Sequence, residues 1–117
     1  MAMARILVSE VEPDVRRLLV VLIERQGHEA VVLEPDVVVP PPADVLLCDP
    51  VARTSVEHAR LVRAFVPELP ILCLNPLPDT AGFLGRGPTL FLPKPFAPDQ
   101  LHAMLDRALT PPAASPL

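Results

Sequence analysis

The sequence predicts an α/β fold: a doubly wound parallel sheet of five strands alternating with helices. Three observations carry this prediction. Five apolar runs are each too short for a helix. Segments with helical period, or with turn and helix-start signals, separate most of them. Charged residues gather just after the first, third and fifth runs, at the strand ends where such sheets place their chemistry.

The elements follow in order. Arg5-Ile6-Leu7-Val8 is a buried strand. Pro13, with acids beside it, opens a helix. Val15, Leu18, Leu19, Leu22 and Ile23 form its inner face, and Gly27 stops it. Ala30 to Leu33 is the second strand. The stretch that follows holds Pro40-Pro41-Pro42, which forbids a helix there. Asp44 to Asp49 is the third strand, closed by Pro50. Thr54-Ser55-Val56-Glu57 has the pattern of a capping box. It predicts a helix to about Val66, with Val56, Ala59, Val62 and Phe65 inward. Pro70 to Leu74 is the fourth strand. Thr80 to Leu84 is at best a short turn of helix among prolines and glycines. Thr89 to Leu92 is the fifth strand. Pro98 opens a last helix with Leu101, Met104, Leu105, Ala108 and Leu109 on one face. All five strands read as buried on both faces. The expected domain is 4–109, with 110–117 a disordered tail or linker stub.

Composition narrows the function. The chain has 117 residues, half of them hydrophobic, which suits one domain with a real core. Its net charge of -4 argues against nucleic-acid binding by a basic field. No apolar run approaches a membrane span and no secretory signal opens the chain, so a cytoplasmic protein without membrane contact is expected. Cys48 and Cys73 are too few for a disulfide scaffold and sit in apolar runs, as buried reduced cysteines do.

Three strand ends carry the candidate chemistry. Glu10 and Glu12 follow the first strand, Asp49 ends the third, and Lys94 follows the fifth. Singly, each has an ordinary reading as a turn residue, a helix start or a solvated charge. Together they place carboxylates and one ammonium at one sheet edge, which points to an anionic reaction centre.

These segments resemble the response-regulator receiver domain of the CheY-like kind. Residues 5–16 are similar to its opening strand and helix. Ala43 to Asp49 is similar to its third strand, and Lys94-Pro95-Phe96 to its Lys-Pro-Phe signature. The resemblance spans residues 4 to about 109. It implies a CheY-like (flavodoxin-like) sheet of order 2-1-3-4-5. It also implies a receiver of two-component, phosphorelay signal transduction in bacteria, not an enzyme beyond its own phosphotransfer and dephosphorylation. Asp49 then matches the phospho-acceptor, and Lys94 the residue that stabilises the phosphoryl oxygens. Asn75 stands where the family has a Ser or Thr that contacts the phosphoryl group, so the resemblance implies a phosphoryl-stabilising and switch role for its amide. Phe91 matches the aromatic switch residue, and Pro95 is the expected cis proline. The implied partner is a sensor histidine kinase or phosphotransfer protein.

The pattern departs from the family at several positions. Glu10 aligns with the first acid after the opening strand, but Val11 replaces the second, usually a direct magnesium ligand. Glu12, Asp49 and the Val51 carbonyl are the remaining candidate donors for magnesium, which needs oxygen ligands. Val11 therefore argues against Mg²⁺ as a cofactor. Pro50 removes a backbone N–H beside the acceptor. The second helix is expected to be missing or very short, and the fourth shortened. Aligning Asp49 with Asn75 puts Cys48 level with Leu74, so the two thiols should face opposite sides without a disulfide. The alternative function is a phosphorylation-independent pseudo-receiver, an interaction module for a protein partner. A nucleotide-binding enzyme ranks low, because Ser9 to Glu12 is acidic and lacks glycine.

Overall fold

The structure is a computed structural model that describes residues 3–74 and 87–110. Five parallel strands form one sheet: β1 (Arg5–Ser9), β2 (Glu29–Val32), β3 (Val45–Cys48), β4 (Ile71–Leu74) and β5 (Thr89–Leu92). Their spatial order is β2-β1-β3-β4-β5. Three helices are described: α1 (Pro13–Arg25), α2 (Arg53–Phe65) and α3 (Pro98–Leu109). Each connects or follows strands in the alternation that the sequence predicts. The topology is that of CheY-like, flavodoxin-like sheets.

Strand side chains alternate between two cores, as period two requires. Ile6, Val8, Val45, Leu47, Leu72 and Leu74 face α1 and α3, where Leu19, Leu22, Ile23, Leu101 and Leu105 meet them. Leu7, Leu46, Cys48, Ile71 and Cys73 face α2, which contributes Ala59 and Val62. The three central strands are fully buried apart from Arg5. The outer two are not. β2 and β5 are largely half-buried, and Val32 and Phe91 are exposed. A short edge strand has a neighbour on one side only, so the expectation of burial on both faces holds for β1, β3 and β4 alone.

Helix ends follow local chemistry. Glu12 caps α1 through its carboxylate, which accepts the Asp14 N–H. Gly27 follows α1 at φ 90°, a backbone angle that glycine adopts without strain. In α3, the Gln100 side chain reaches back to the Ala97 N–H at 2.7 Å. The start of α2 differs from the expected capping box. Its N-cap is Ala52, which offers no side-chain acceptor. Thr54 and Ser55 already lie inside the helix. Phe65 is 54% exposed, whereas Ser55 and His58 are buried. The inner face of α2 is thus rotated from the apolar pattern, because polar partners on β1 draw two polar residues inward.

No helix lies between β2 and β3, as the triple proline requires. Arg5 holds the end of this connection. Its N–H donates to Asp44 Oδ2 at 2.8 Å and its Nη1 to the Pro42 carbonyl at 3.2 Å. The expected short turn of helix over Thr80 to Leu84 and most of the tail lie outside the described residues.

Gly87 leads into β5 under the Arg63 side chain. A Cβ there would lie 2.5 Å from the Pro67 carbonyl oxygen and against the Arg63 guanidinium. Gly87→Ala is therefore expected to destabilise the fold by roughly 1–3 kcal/mol, the usual cost of overpacking. A lowered urea midpoint with an unchanged slope checks it.

Candidate functional site

The carboxyl ends of β1 and β3 and the segment after β5 converge. Lys94 lies two residues past β5, just before a cis Lys94–Pro95 peptide bond. Its ammonium donates to Glu10 Oε1 and to Asp49 Oδ2, each at 2.6 Å. The Glu10 and Asp49 side chains are only 2% and 10% exposed, and that of Lys94 is 26% exposed. Two nearly buried carboxylates therefore share one cation. Burial pulls the Lys94 ammonium down, but the hydrogen bonds and charges of Asp49 and Glu10 outweigh it, and the net shift is upward.

The other carboxylate oxygens also have partners. Glu10 Oε2 accepts the Glu12 N–H at 3.3 Å, and Asp49 Oδ1 accepts the Val51 N–H at 3.1 Å. All four oxygens of the pair are thus engaged. The Val51 N–H partly replaces the donor that Pro50 lacks. Val11 is 52% exposed and offers no oxygen from its side chain. Glu12 is exposed and turned to its capping role. Among the described residues, no group of three or more Asp, Glu, His or Cys side chains is gathered to hold a metal. A divalent cation needs several oxygen donors with free lone pairs around one point. The carboxylates present hold a single ammonium, and the Val11 side chain adds no oxygen donor beside them.

Of the residues singled out from the sequence, Glu10, Asp49 and Lys94 come together and Glu12 lies at the rim. Asn75 lies outside the described residues. Phe91 is 42% exposed and pairs in register with Cys73.

A second polar cluster lies beside this centre. Ser9 Oγ is 2.6 Å from His58 Nδ1 and 3.0 Å from Ser55 Oγ. Ser55 Oγ donates to the Ser9 carbonyl at 3.1 Å, and that carbonyl also accepts the Asp49 N–H at 3.2 Å. His58 Nε2 lies 3.0 Å from the Glu34 carbonyl. A carbonyl only accepts, so Nε2 carries a proton. The Ser9 hydroxyl donates to Ser55 Oγ, and its oxygen also lies in hydrogen-bond contact with His58 Nδ1. The cluster ties α2 to the backbone that holds Asp49. Beside it, Ser9, Arg16, Glu34, Thr54 and His58 line part of a cleft of about 260 Å³. Apolar periodicity overlooks these three buried residues. The signal for them is polar residues at inward spacing in α2, with Ser9 ending an apolar strand. His58→Ala is expected to cost roughly 1–3 kcal/mol, because it removes two hydrogen bonds of a buried side chain, although Ser9 keeps Ser55 Oγ and the Glu34 carbonyl keeps the Val37 N–H. Chemical denaturation checks it.

The thiols differ from expectation. Cys48 pairs directly with Cys73, not with Leu74. The register is one residue away from that inferred by aligning Asp49 with Asn75. A slip of one residue reverses the face, so both sulfurs point toward α2 and lie 3.8 Å apart.

No protein-family profile matches the chain, and no curated protein matches it. Solved structures do. NtrX from Brucella abortus, in complex with ADP, superposes with a TM-score of 0.77 at 24% identity. The match covers 92% of this chain and 26% of that one, so the chain spans about a quarter of NtrX. The chemotaxis protein CheY4 of Vibrio cholerae gives a TM-score of 0.76 at 24% identity, over 92% of this chain and 100% of that one. The receiver domain of the sensor histidine kinase PA1611 from Pseudomonas aeruginosa gives 0.69 at 22% identity, over 92% and 98%. That domain carries a magnesium ion in its active-site cleft. The resemblance to receiver domains that the sequence motifs carry thus extends to the fold. Among the described residues no helix is long and apolar enough to cross a membrane.

Proposed function

We propose that this chain is a receiver module of two-component signalling in which Asp49 accepts the phosphoryl group and Lys94 supplies the balancing positive charge. The observation that carries the reading is the ammonium of Lys94 held 2.6 Å from Asp49 Oδ2. The receiver topology supports it, since the fold places this pair at the carboxyl edge of the sheet.

The chemistry is a phosphoryl transfer with a carboxylate nucleophile. An Asp49 oxygen forms the new O–P bond as the P–N bond to a donor histidine breaks. The leaving nitrogen keeps the bonding pair and takes a proton when it is next protonated. Lys94 then pairs with the phosphoryl oxygens, while Glu10 keeps its share of the ammonium. Neighbouring receivers include a domain of a sensor histidine kinase, so a histidine kinase or phosphotransfer protein is the donor class this reading names. Lys94 takes the charge-balancing role because the Val11 side chain supplies no oxygen donor at this edge. Phosphorylation is therefore slower than in a receiver with a divalent cation, and indifferent to magnesium.

One observation favours a second reading. Each carboxylate oxygen of Glu10 and Asp49 already has one hydrogen-bond partner within the chain. A module of this shape docks a partner protein without phosphate. Exposure to a small phosphodonor, followed by intact mass, separates the two readings.

A further inference from the structure

Cys48 and Cys73 sit side by side on the central strands, outside the chemistry assigned to Asp49. Both are free and fully buried. They are direct register partners on β3 and β4, and their sulfurs are 3.8 Å apart on the face covered by α2. Neighbouring strands run about 4.8 Å apart. That spacing falls inside the range of about 4.4–6.8 Å between Cα atoms that a disulfide tolerates. Both side chains already leave the sheet on the same side. Only the sulfurs must approach, from 3.8 Å to about 2.05 Å.

We propose that Cys48 and Cys73 are a covalent modification site: a peroxide-class oxidant converts them to an intramolecular disulfide that joins β3 to β4 one residue before Asp49. The two thiols are not equivalent. The hydrogen-bond contact with Cys48 pushes the Cys73 thiol down, against its own burial, and the Arg63 guanidinium adds to the effect. The same contact pushes Cys48 up, and burial adds to it. Cys73 is therefore the attacking sulfur and Cys48 the resolving one.

The steps balance. The Cys73 thiolate attacks one peroxide oxygen, and the O–O bond breaks. The departing hydroxide takes a proton and leaves as water, with Cys73 as a sulfenic acid. The Cys48 sulfur then attacks the Cys73 sulfur, the S–O bond breaks, and the hydroxyl leaves as water with the Cys48 proton. Two thiols are oxidised to one disulfide and the peroxide is reduced to water. Hydrogen peroxide is small and neutral, and it reaches a buried pair through local opening.

The consequence reaches the centre. Cys48 lies level with Ser9 on β1, and the Ser9 carbonyl holds the Asp49 N–H. Drawing Cys48 toward β4 therefore acts on the strand end that positions Asp49. The inference does not depend on Asp49 being phosphorylated.

The test treats the reduced, folded wild-type chain with hydrogen peroxide, blocks remaining thiols, and maps peptides without reductant. Expected are a monomer lighter by two hydrogens, no free thiol, and one linked peptide pair holding Cys48 and Cys73. Dithiothreitol reverses the change, and the oxidised form melts at a higher temperature. In Cys48→Ala the sulfenic acid on Cys73 is trapped by dimedone. In Cys73→Ala the remaining thiol oxidises about tenfold more slowly. The same chain in urea is the control for peroxide strength and for the mapping. Disulfides between chains, sulfinic acid without a linked pair, or linkage only in urea would each overturn the proposal. The wild-type map decides even where a variant fails to fold.

Discussion

Lys94→Met lowers the unfolding free energy at pH 7 by roughly 3 kcal/mol, the expected cost of leaving buried charge unpaired. The Glu10 and Asp49 oxygens each lie 2.6 Å from the same ammonium, so they are at most about 5 Å apart, within range of strong mutual repulsion. Their side chains are almost dry, so water compensates little once the cation is gone. The Lys94 side chain is itself 26% exposed, which holds the loss near the low end of such cases. Lys94→Arg retains most of the stability, because a guanidinium also donates to two carboxylates. The pH dependence has a fixed sign. The folded state raises the Lys94 ammonium above its ordinary value of 10.5. The stability it contributes is fully present below that value and fades as pH climbs through the raised one. The gap between wild type and Lys94→Met is therefore level from neutral pH to that value and narrows above it. Urea titrations across alkaline pH measure this directly.

Asp49→Asn abolishes phosphoryl uptake while leaving the fold nearly intact. An asparagine keeps an oxygen for the Val51 N–H but turns an amide NH2 toward Lys94, which keeps Glu10, so the stability loss is roughly 1–3 kcal/mol. The nucleophile, however, is lost. Glu10→Gln behaves oppositely: uptake persists, because Glu10 shares the cation and forms no bond to phosphorus. Intact mass after exposure to acetyl phosphate reads all three proteins. Uptake in Asp49→Asn would move the acceptor elsewhere.

Much of this centre was legible before the fold was. Short apolar runs in alternation with helical segments require a parallel sheet, and a parallel sheet sends Glu10, Asp49 and Lys94 to one edge. The missing helix between β2 and β3 follows from Pro40 to Pro42, whose rings fit no helix interior. The parts that escaped have physical causes. The β3–β4 register depends on side-chain packing across two strands, and aligning Asp49 with Asn75 slips it by one residue. That slip put the thiols on opposite faces, although they share one. The inner face of α2 was read from apolar residues alone. Ser55 and His58 turn inward because Ser9 and the Glu34 carbonyl satisfy them, a pairing that no single segment displays. Asn75 lies outside the described residues.

Val11 is legible as a lost ligand, but its consequence emerges only with Lys94 in place. The ammonium takes one oxygen from each carboxylate, and backbone N–H groups take the others. One ammonium thus offsets one of two carboxylate charges, and the role proposed for Lys94 rests on that pairing.

The most direct test of that claim is phosphoryl uptake by the wild-type chain with acetyl phosphate, in magnesium and in EDTA, read by intact mass. One phosphoryl group on Asp49, gained at the same rate in both solutions, is the expected result. Uptake only in magnesium would contradict the role given to Lys94, and no uptake in either would leave a docking module in place of a phosphoryl acceptor.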